Sequence, residues 1–419
     1  MAIAQVTMLR SVSIAVNICT GLLTAALLGP QGRGELAALI VAPQILAGLA
    51  TLGLHGSLIY NVKADPEHER EYISINLLLT FCAGLVAMAA GWFLEPLWLT
   101  KYSSNIIELG RAFLVITPLI SASSTFTAVL EARARFVAAN QSAYLQSVCT
   151  LVVLGLLIAL KHLTPATAAA AYLGPSVLVF VYLALLVGYR TTAWVNLQAQ
   201  QFIRLLHYGI RIYGDDVLAT LSPYLDQIVI AAMMPPAALG VYVVGLSLSR
   251  LLNVLPASAT TVLFPSLAAR PTQAITETVA AAVRVLGTIN AAAALCIGLL
   301  GPHLLSLLYG AKFAGASGPL SILLIAGVCS NVVQLLYQLY VGSGRPGMVT
   351  VIQTLGFGVS LGSMLLLVPA YGTVGAALSL LIAALVRLGC VLLAMPLTLG
   401  VRVPRLIISL SDLAWMKGR

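Results

Sequence analysis

Charge is what this sequence has least of. Asp, Glu, Lys and Arg make up 8% of its 419 residues, against about 25% in soluble globular domains. The scarcity leaves no room for a water-facing domain. Cysteines are also few and far apart: Cys19, Cys82, Cys149, Cys296, Cys329 and Cys390 all fall in apolar stretches. They read as small buried hydrophobes, with no disulfide framework or metal-ligand spacing. The five histidines, His55, His68, His162, His207 and His303, are scattered, so no metal site is expected. No nucleophile motif and no Walker loop is present, and ATP-driven transport by this chain alone is not expected. Gly342-Ser343-Gly344-Arg345-Pro346-Gly347 fits G-x-G-x-x-G, but it follows no strand and reads as a link between helices. Residues 7–28 carry a polar stripe, and no A-x-A-like cleavage site follows, so no cleavable signal peptide is indicated.

What the sequence does have is length and grease. It is 60% hydrophobic, with a mean hydropathy of +1.00. A membrane helix needs roughly 20 apolar residues, and about twelve such stretches follow one another, at 7–28, 36–60, 72–94, 106–130, 141–160, 166–188, 205–233, 239–264, 278–300, 317–341, 347–368 and 373–397. Without water to satisfy the backbone, each must be a helix, since barrel-type alternation is absent. The expected fold is an all-α polytopic membrane protein in two six-helix lobes. Residues 1–190 form the first lobe, 191–204 a linker, 205–398 the second lobe and 399–419 a tail along the cytoplasmic surface.

The formal net charge of +9 sits in short loops with no basic run, which excludes a nucleic-acid partner. Alternating the loops from a cytoplasmic N-terminus puts Lys63, Arg70, Arg133, Arg135, Arg190, Arg204, Arg270, Arg345, Arg402, Arg405, Lys417 and Arg419 on one side. Only Arg33, Lys101, Lys161 and Lys312 fall on the other, so both termini are placed inside. The halves also look related. Leu28-Gly29-Pro30 with Gly34-Glu35-Leu36 aligns with Met234-Pro235-Pro236 and Gly240-Val241-Tyr242 at an offset of 206 (236 − 30 and 240 − 34). Residues 157–173 align with 365–381. Such a repeat implies two bundles related by an axis along the membrane normal.

The chain is organised around 205–266, where Arg211, Asp215, Asp216, Asp226, Arg250 and Asn253 interrupt apolar helices. A charge at bilayer depth is kept only when it faces a protein interior or a wet cavity. On one continuous helix, Arg211, Asp215, Ser222 and Asp226 would share an arc of roughly 60°. Arg10, Ser13, Asn17, Thr20 and Thr24 share a face of the first helix, and Asn331, Gln334 and Gln338 a face of the tenth. The second helix shows little of this. Arg10, Arg111, Arg211, Arg250, Arg284 and Arg387 outnumber the three aspartates, and guanidinium forks suit phosphate, so the expected cavity is basic and its substrate anionic. Several of these arginines read equally well as helix-end residues snorkelling to the interface. Asp215, four residues after Arg211, reads as a structural ion pair. Asp226 reads either as a structural pair or as a site for a coupling cation. No cofactor is expected, with H+ or Na+ coupling through the acids the open alternative.

Leu28-Gly-Pro-Gln-Gly-Arg-Gly-Glu-Leu-Ala-Ala38, Asp226-Gln-Ile-Val-Ile230, Pro236-Ala-Ala-Leu-Gly-Val-Tyr242 and Leu263-Phe-Pro-Ser-Leu267 follow in order. Leu308-Tyr-Gly-Ala-Lys-Phe313, Gly342-Ser-Gly-Arg-Pro346 and Val368-Pro-Ala-Tyr-Gly-Thr-Val-Gly-Ala-Ala377 come after them. Together they resemble the polysaccharide transporters, O-antigen flippases among them, of the multidrug/oligosaccharidyl-lipid/polysaccharide (MOP) exporter superfamily. Gln227 departs from the pattern, since many relatives carry a basic residue there. The resemblance implies a non-enzymatic flippase in a bacterial inner membrane. Its substrate would be a polyprenyl-pyrophosphate-linked oligosaccharide, such as an O-antigen, capsule or exopolysaccharide unit, and its neighbours membrane lipids and glycan-assembly proteins. Under that reading Arg10, Arg211 and Arg250 would hold the pyrophosphate, and Asn17, Asn253, Asn331, Gln334 and Gln338 the sugar hydroxyls. Two competing readings are a cation-coupled multidrug exporter, which would want an acidic cavity, and a glycan polymerase or ligase, for which the outside loops are too short.

Overall fold

The computed structural model describes residues 2–188, 198–254, 256 and 271–405. Among these, helix dominates and no strand occurs. Nine stretches are long and apolar enough to cross a membrane. Two of them, Ser11–Ala64 and Pro346–Leu399, run to 54 residues each. That is about 80 Å of helix, more than twice a hydrocarbon core of about 30 Å. Each is interrupted at a glycine that takes up a positive φ: Gly29 (φ 68, ψ −178) and Gly372 (φ 59, ψ −134). Counted as pairs, they raise nine to eleven among the described residues (9 + 2). The twelfth expected span is the charge-bearing seventh, which is absent from the nine because polar residues interrupt it. The chain is thus an all-α polytopic membrane protein. The glycine-rich 342–347 stretch is a link between the helices Ser317–Gly342 and Pro346–Ala394, with Gly344 at φ 73.

Two spans expected to be continuous are broken. The second runs to Leu49, turns through 50–53, and restarts as Leu54–Ala64. Leu52 (φ 50) and Gly53 (φ 73) make the turn. The seventh is Ala199–Leu221, a turn at Ser222-Pro223-Tyr224, then Leu225–Met233. Pro223 lacks the N–H that would continue the ladder. The single 60° arc expected from Arg211 to Asp226 therefore does not exist, because Asp226 begins a new helix.

The residues form two compact units, Met1–Gly240 and Val241–Arg419. This cut falls after the seventh span, not within 191–204. Of the expected linker, 191–197 lie outside the described residues, as do 406–419 of the expected tail.

In the first unit the second and seventh spans pack antiparallel over their whole length. A Cβ on Gly34 would sit inside the Pro236 carbonyl, and one on Gly240 inside the Pro30 carbonyl. The two aligned copies of the sequence repeat thus meet each other reciprocally. Further along, the Tyr224 hydroxyl donates to Gln44 Oε1 at 2.9 Å, and Gly48 lies against Thr220. Gly53 lies against the Gly209 carbonyl, and Ser57 Oγ donates to Leu205 O at 2.7 Å. Small residues let membrane helices approach closely, because lipid provides no hydrophobic drive between them. The third and fourth spans use the same device. There Gly84 faces Ser121 and Pro118, and Asn76, Thr80, Ser121 and Thr125 bond one another in a buried chain.

In the second unit, Ile275, Val283, Leu336, Tyr340, Ile352 and Val391 form the core. Asn290 and Asn331 both donate to the Leu252 carbonyl, at 3.1 and 3.2 Å. That carbonyl lies in the 3-10 turn Arg250–Asn253 that ends the Pro236–Ser249 helix.

Replacing Gly34 or Gly240 with Ala puts a methyl group onto backbone that cannot step aside. Each is expected to cost about 3 kcal/mol, the upper end for overpacking. The double variant should cost less than the sum, since either change opens the contact; thermal melts of the purified proteins measure both. Tyr213→Phe, which removes the 3.0 Å bond to Leu49 O at the break, is expected to cost about 1–3 kcal/mol in the same melts.

Candidate functional site

Irregular backbone at membrane depth is tolerated only where protein or a wet cavity satisfies it, and broken helices are where transporters build their sites. The break at 50–53 stands midway along the second span. The Tyr213 hydroxyl takes the Leu49 carbonyl at 3.0 Å, and Thr51 Oγ1 takes Gly48 O at 2.7 Å. The helix that restarts there carries His55 in its first turn. His55 Nδ1 lies 3.2 Å from Ser124 O, and Nε2 lies 3.2 Å from Glu131 Oε2. Both ring nitrogens therefore face acceptors. The His55–Glu131 pair must hold two protons, either as imidazolium with carboxylate or as imidazole with carboxylic acid. Asp216, on the Ala199–Leu221 helix, acts on His55 electrostatically. Asp216 is half-buried, while Arg211 and Asp215 are exposed. The result is a histidine paired with one carboxylate and influenced by a second, beside a helix break within the second span. It can bind a cation or exchange a proton, and it can offer acceptors to hydroxyl groups.

The other expected site residues fare differently. Arg10 is on the first helix, but its side chain lies outside the described residues. On the same helix Asn17 is exposed, while Ser13, Thr20 and Thr24 are buried. Thr20 and Thr24 bond backbone carbonyls three or four residues back, so that stripe is only partly a lining. Arg211 and Asp215 form no ion pair with each other; among the described residues the ion pairs are His55–Glu131, His68–Asp65, Arg133–Glu69 and Arg204–Asp65. Asp226 is 2% exposed, and its Oδ1 accepts the Gln227 N–H at 2.8 Å, a helix-start contact. In the second unit Arg250, Asn253 and Gln334 are exposed and Gln338 is half-buried. Asn331 is buried and committed to the Leu252 carbonyl. Arg387 is half-buried, fitted into the space left by Gly356 and bonded to Ala383 O at 3.3 Å. Around the break at 50–53 the charged groups brought together are His55, Glu131 and Asp216, while Arg133 and Arg204 pair with Glu69 and Asp65.

His55, Glu131 and Tyr213 were missed because histidines spread over a sequence carry no pattern, and Glu131 lies 76 residues from its partner. The signal in hand was Gly53 in mid-span, a helix breaker where no break was expected. The cysteines are less buried than expected: Cys19, Cys82 and Cys296 are exposed, and Cys149, Cys329 and Cys390 are half-buried. At the loop between the second and third spans, Asp65 accepts from His68 at 2.8 Å and pairs with Arg204 at 3.0 Å. The His68 hydrogen bond, helped by Tyr72 and Arg204, holds the Asp65 carboxyl below the usual carboxylate range.

Comparison with known structures gives the same architecture. A lipid II flippase, MurJ, in an inward closed conformation superposes with a TM-score of 0.78 at 14% identity, covering 93% of this chain and 87% of that one. An inward-facing multidrug resistance MATE family transporter of the MOP superfamily gives 0.72 at 14% identity, covering 92% and 95%. A MOP superfamily transporter from Pyrococcus furiosus, described as having a binding pocket of reversed polarity, gives 0.67 at 15% identity, covering 95% of both chains. No curated protein matches in sequence. The family of polysaccharide biosynthesis proteins matches residues 23–318. With that match over more than half its length and the fold of the MOP transporters, the chain belongs to the polysaccharide biosynthesis protein family.

Proposed function

We propose that this protein is a flippase for a lipid-linked oligosaccharide, carrying polyprenyl-pyrophosphate-bound glycan units across a bacterial inner membrane with both termini in the cytoplasm. The family match carries the reading. The fold shared with a lipid II flippase supports it, and so does the break within the second span beside the His55–Glu131 pair. In this reading the site opens to one side of the membrane at a time. In the first unit, Arg10 and Arg211 offer guanidinium groups to pyrophosphate, and Asn17, Asp215 and Asp216 offer bonds to sugar hydroxyls. In the second unit, the exposed Arg250 offers a third guanidinium, and Asn253, Gln334 and Gln338 offer amides.

The acidic company of His55 favours one second reading, a cation-coupled multidrug exporter of the same superfamily. In a strain lacking this chain, a flippase predicts glycan-lipid trapped on the cytoplasmic leaflet and loss of surface glycan. Broad hypersensitivity to lipophilic cations with normal surface glycan would instead establish the exporter.

Each charge-assisted phosphate contact is worth about 1.5–3 kcal/mol, and about 1.4 kcal/mol is tenfold. Arg10→Ala with Arg250→Ala is therefore expected to lower glycan export about a hundredfold or more, with membrane-inserted protein at the wild-type level. Pulse labelling of surface glycan beside an immunoblot of the membrane fraction measures this, and full export by the double variant would remove both anchors from the proposal. Asp216→Asn should lower export and weaken binding of the lipid-linked oligosaccharide, while binding of a polyprenyl pyrophosphate without sugar stays unchanged.

A further inference from the structure

The third span, Glu69–Trp98, closes on Glu95-Pro96-Leu97-Trp98. Proline has no N–H, so the Trp92 carbonyl, four residues earlier, loses its helix partner. Arg111 of the Ser104–Phe113 helix supplies the replacement. Its Nε donates to Trp92 O at 3.0 Å, and its guanidinium lies over the Trp92 ring, 5.2 Å from the centre. Arg111 is thereby committed to Trp92 and reaches Glu95 only through space.

Glu95 is left in an unusual position. It is 3% exposed, and neither carboxyl oxygen has a hydrogen-bond partner. The carboxyl fits only because its neighbour on the next helix is Gly110, where a Cβ would overlap Oε1. It borders a cavity of 220 Å³ whose other walls are Leu46, Leu94, Trp98, Leu114 and Ile228, with Ala42, Ile45 and Gly91. The indole Nε1 of Trp98 donates to the Ile228 carbonyl at 2.8 Å, pinning the end of the third span to the second piece of the seventh.

A lone carboxyl in such a cavity can take few ligands. Metal cations need several oxygen donors; the cavity offers one carboxyl, and no cluster of three acids, histidines or cysteines occurs among the described residues. The second, third, fourth and seventh spans bring no other titratable group to its walls, and Arg111 is the one charge acting on it. An ionised carboxylate there would lack both water and a donor. A proton removes that buried charge by itself.

We propose that Glu95 is a proton-binding site, and that its protonation holds the third span closed on the seventh through the Trp98–Ile228 contact. With the proton gone, the buried carboxylate needs water, and the packing that holds it against Gly110 and beside the Trp98–Ile228 contact must loosen to bring water to it. Resting on the flippase reading, this makes the proton the coupling ion and Glu95 its carrier.

The test uses the full-length protein in lipid nanodiscs and Glu95→Gln, a neutral mimic of the closed form. Infrared difference spectra across a pH series are expected to show a titrating carboxylic C=O band in the wild type that Glu95→Gln lacks and Glu95→Asp retains at another midpoint. A variant keeping only Trp98 (Trp92, Trp194 and Trp415 changed to Phe) is expected to change fluorescence with the wild-type band's midpoint, and to lose that change when Glu95→Gln is added. A titrating band unchanged by Glu95→Gln, or a Trp98 signal indifferent to pH, would overturn the proposal. In vesicles with an imposed pH gradient, flipping of a polyprenyl-pyrophosphate oligosaccharide should speed up several-fold for the wild type and not for Glu95→Gln; equal acceleration of both would overturn the coupling role. If neither protein flips the glycan, the flippase reading fails, and the spectra still decide whether Glu95 binds the proton.

Discussion

The antiparallel seam between the second and seventh spans is the constraint on which the rest of the first unit depends. At its end the starts of the second and eighth spans meet backbone to backbone, with the Cβ space of Gly34 and of Gly240 each taken by a carbonyl of the other copy of the repeat. Contacts this close cannot be made by larger residues, and in lipid they take the place that apolar burial has in water. The seam also fixes what lies along it. Tyr213, Tyr224 and Asp216 on one side are set against Leu49, Gln44 and His55 on the other.

A single rule of membrane chemistry explains features that otherwise look unrelated. Every backbone carbonyl freed from a helix ladder must find a donor inside the protein. The break at 50–53 is answered by Tyr213, the proline at 96 by Arg111, and the turn at Arg250–Asn253 by Asn290 and Asn331. Side chains that look like binding residues in a sequence are thus often spent on backbone. Asn331 and Arg111 are two of them. Glu95 is the converse case: a polar group the backbone does not use and no side chain answers.

Function follows from the same distribution. A broken helix, a histidine–carboxylate pair and a nearby aspartate have the chemistry to exchange protons and to accept from hydroxyls. Under the proposed flippase reading, guanidinium groups elsewhere would supply the attraction for an anion. A carrier of lipid-linked glycan needs both, a hold on the pyrophosphate and a polar path for the sugar.

Several of these features were legible in the linear sequence. Hydropathy and length placed the spans, because a bilayer admits only helices of about 20 apolar residues. The offset of 206 marked Pro30 and Gly34 as counterparts of Pro236 and Gly240, and the ordered motifs pointed to the right family. The breaks were only half legible: Gly53 and Pro223 are breakers in mid-span, but whether a ladder breaks depends on a donor from another helix being ready to take the carbonyl. The partners of His55 and the isolation of Glu95 were not legible, because those rest on residues tens of positions away. The sequence by itself determined that this protein crosses a membrane many times, since solvent alone selects for that. Only the tertiary structure decided which polar groups remain available for chemistry, because helix packing assigns each donor either to the backbone or to the site.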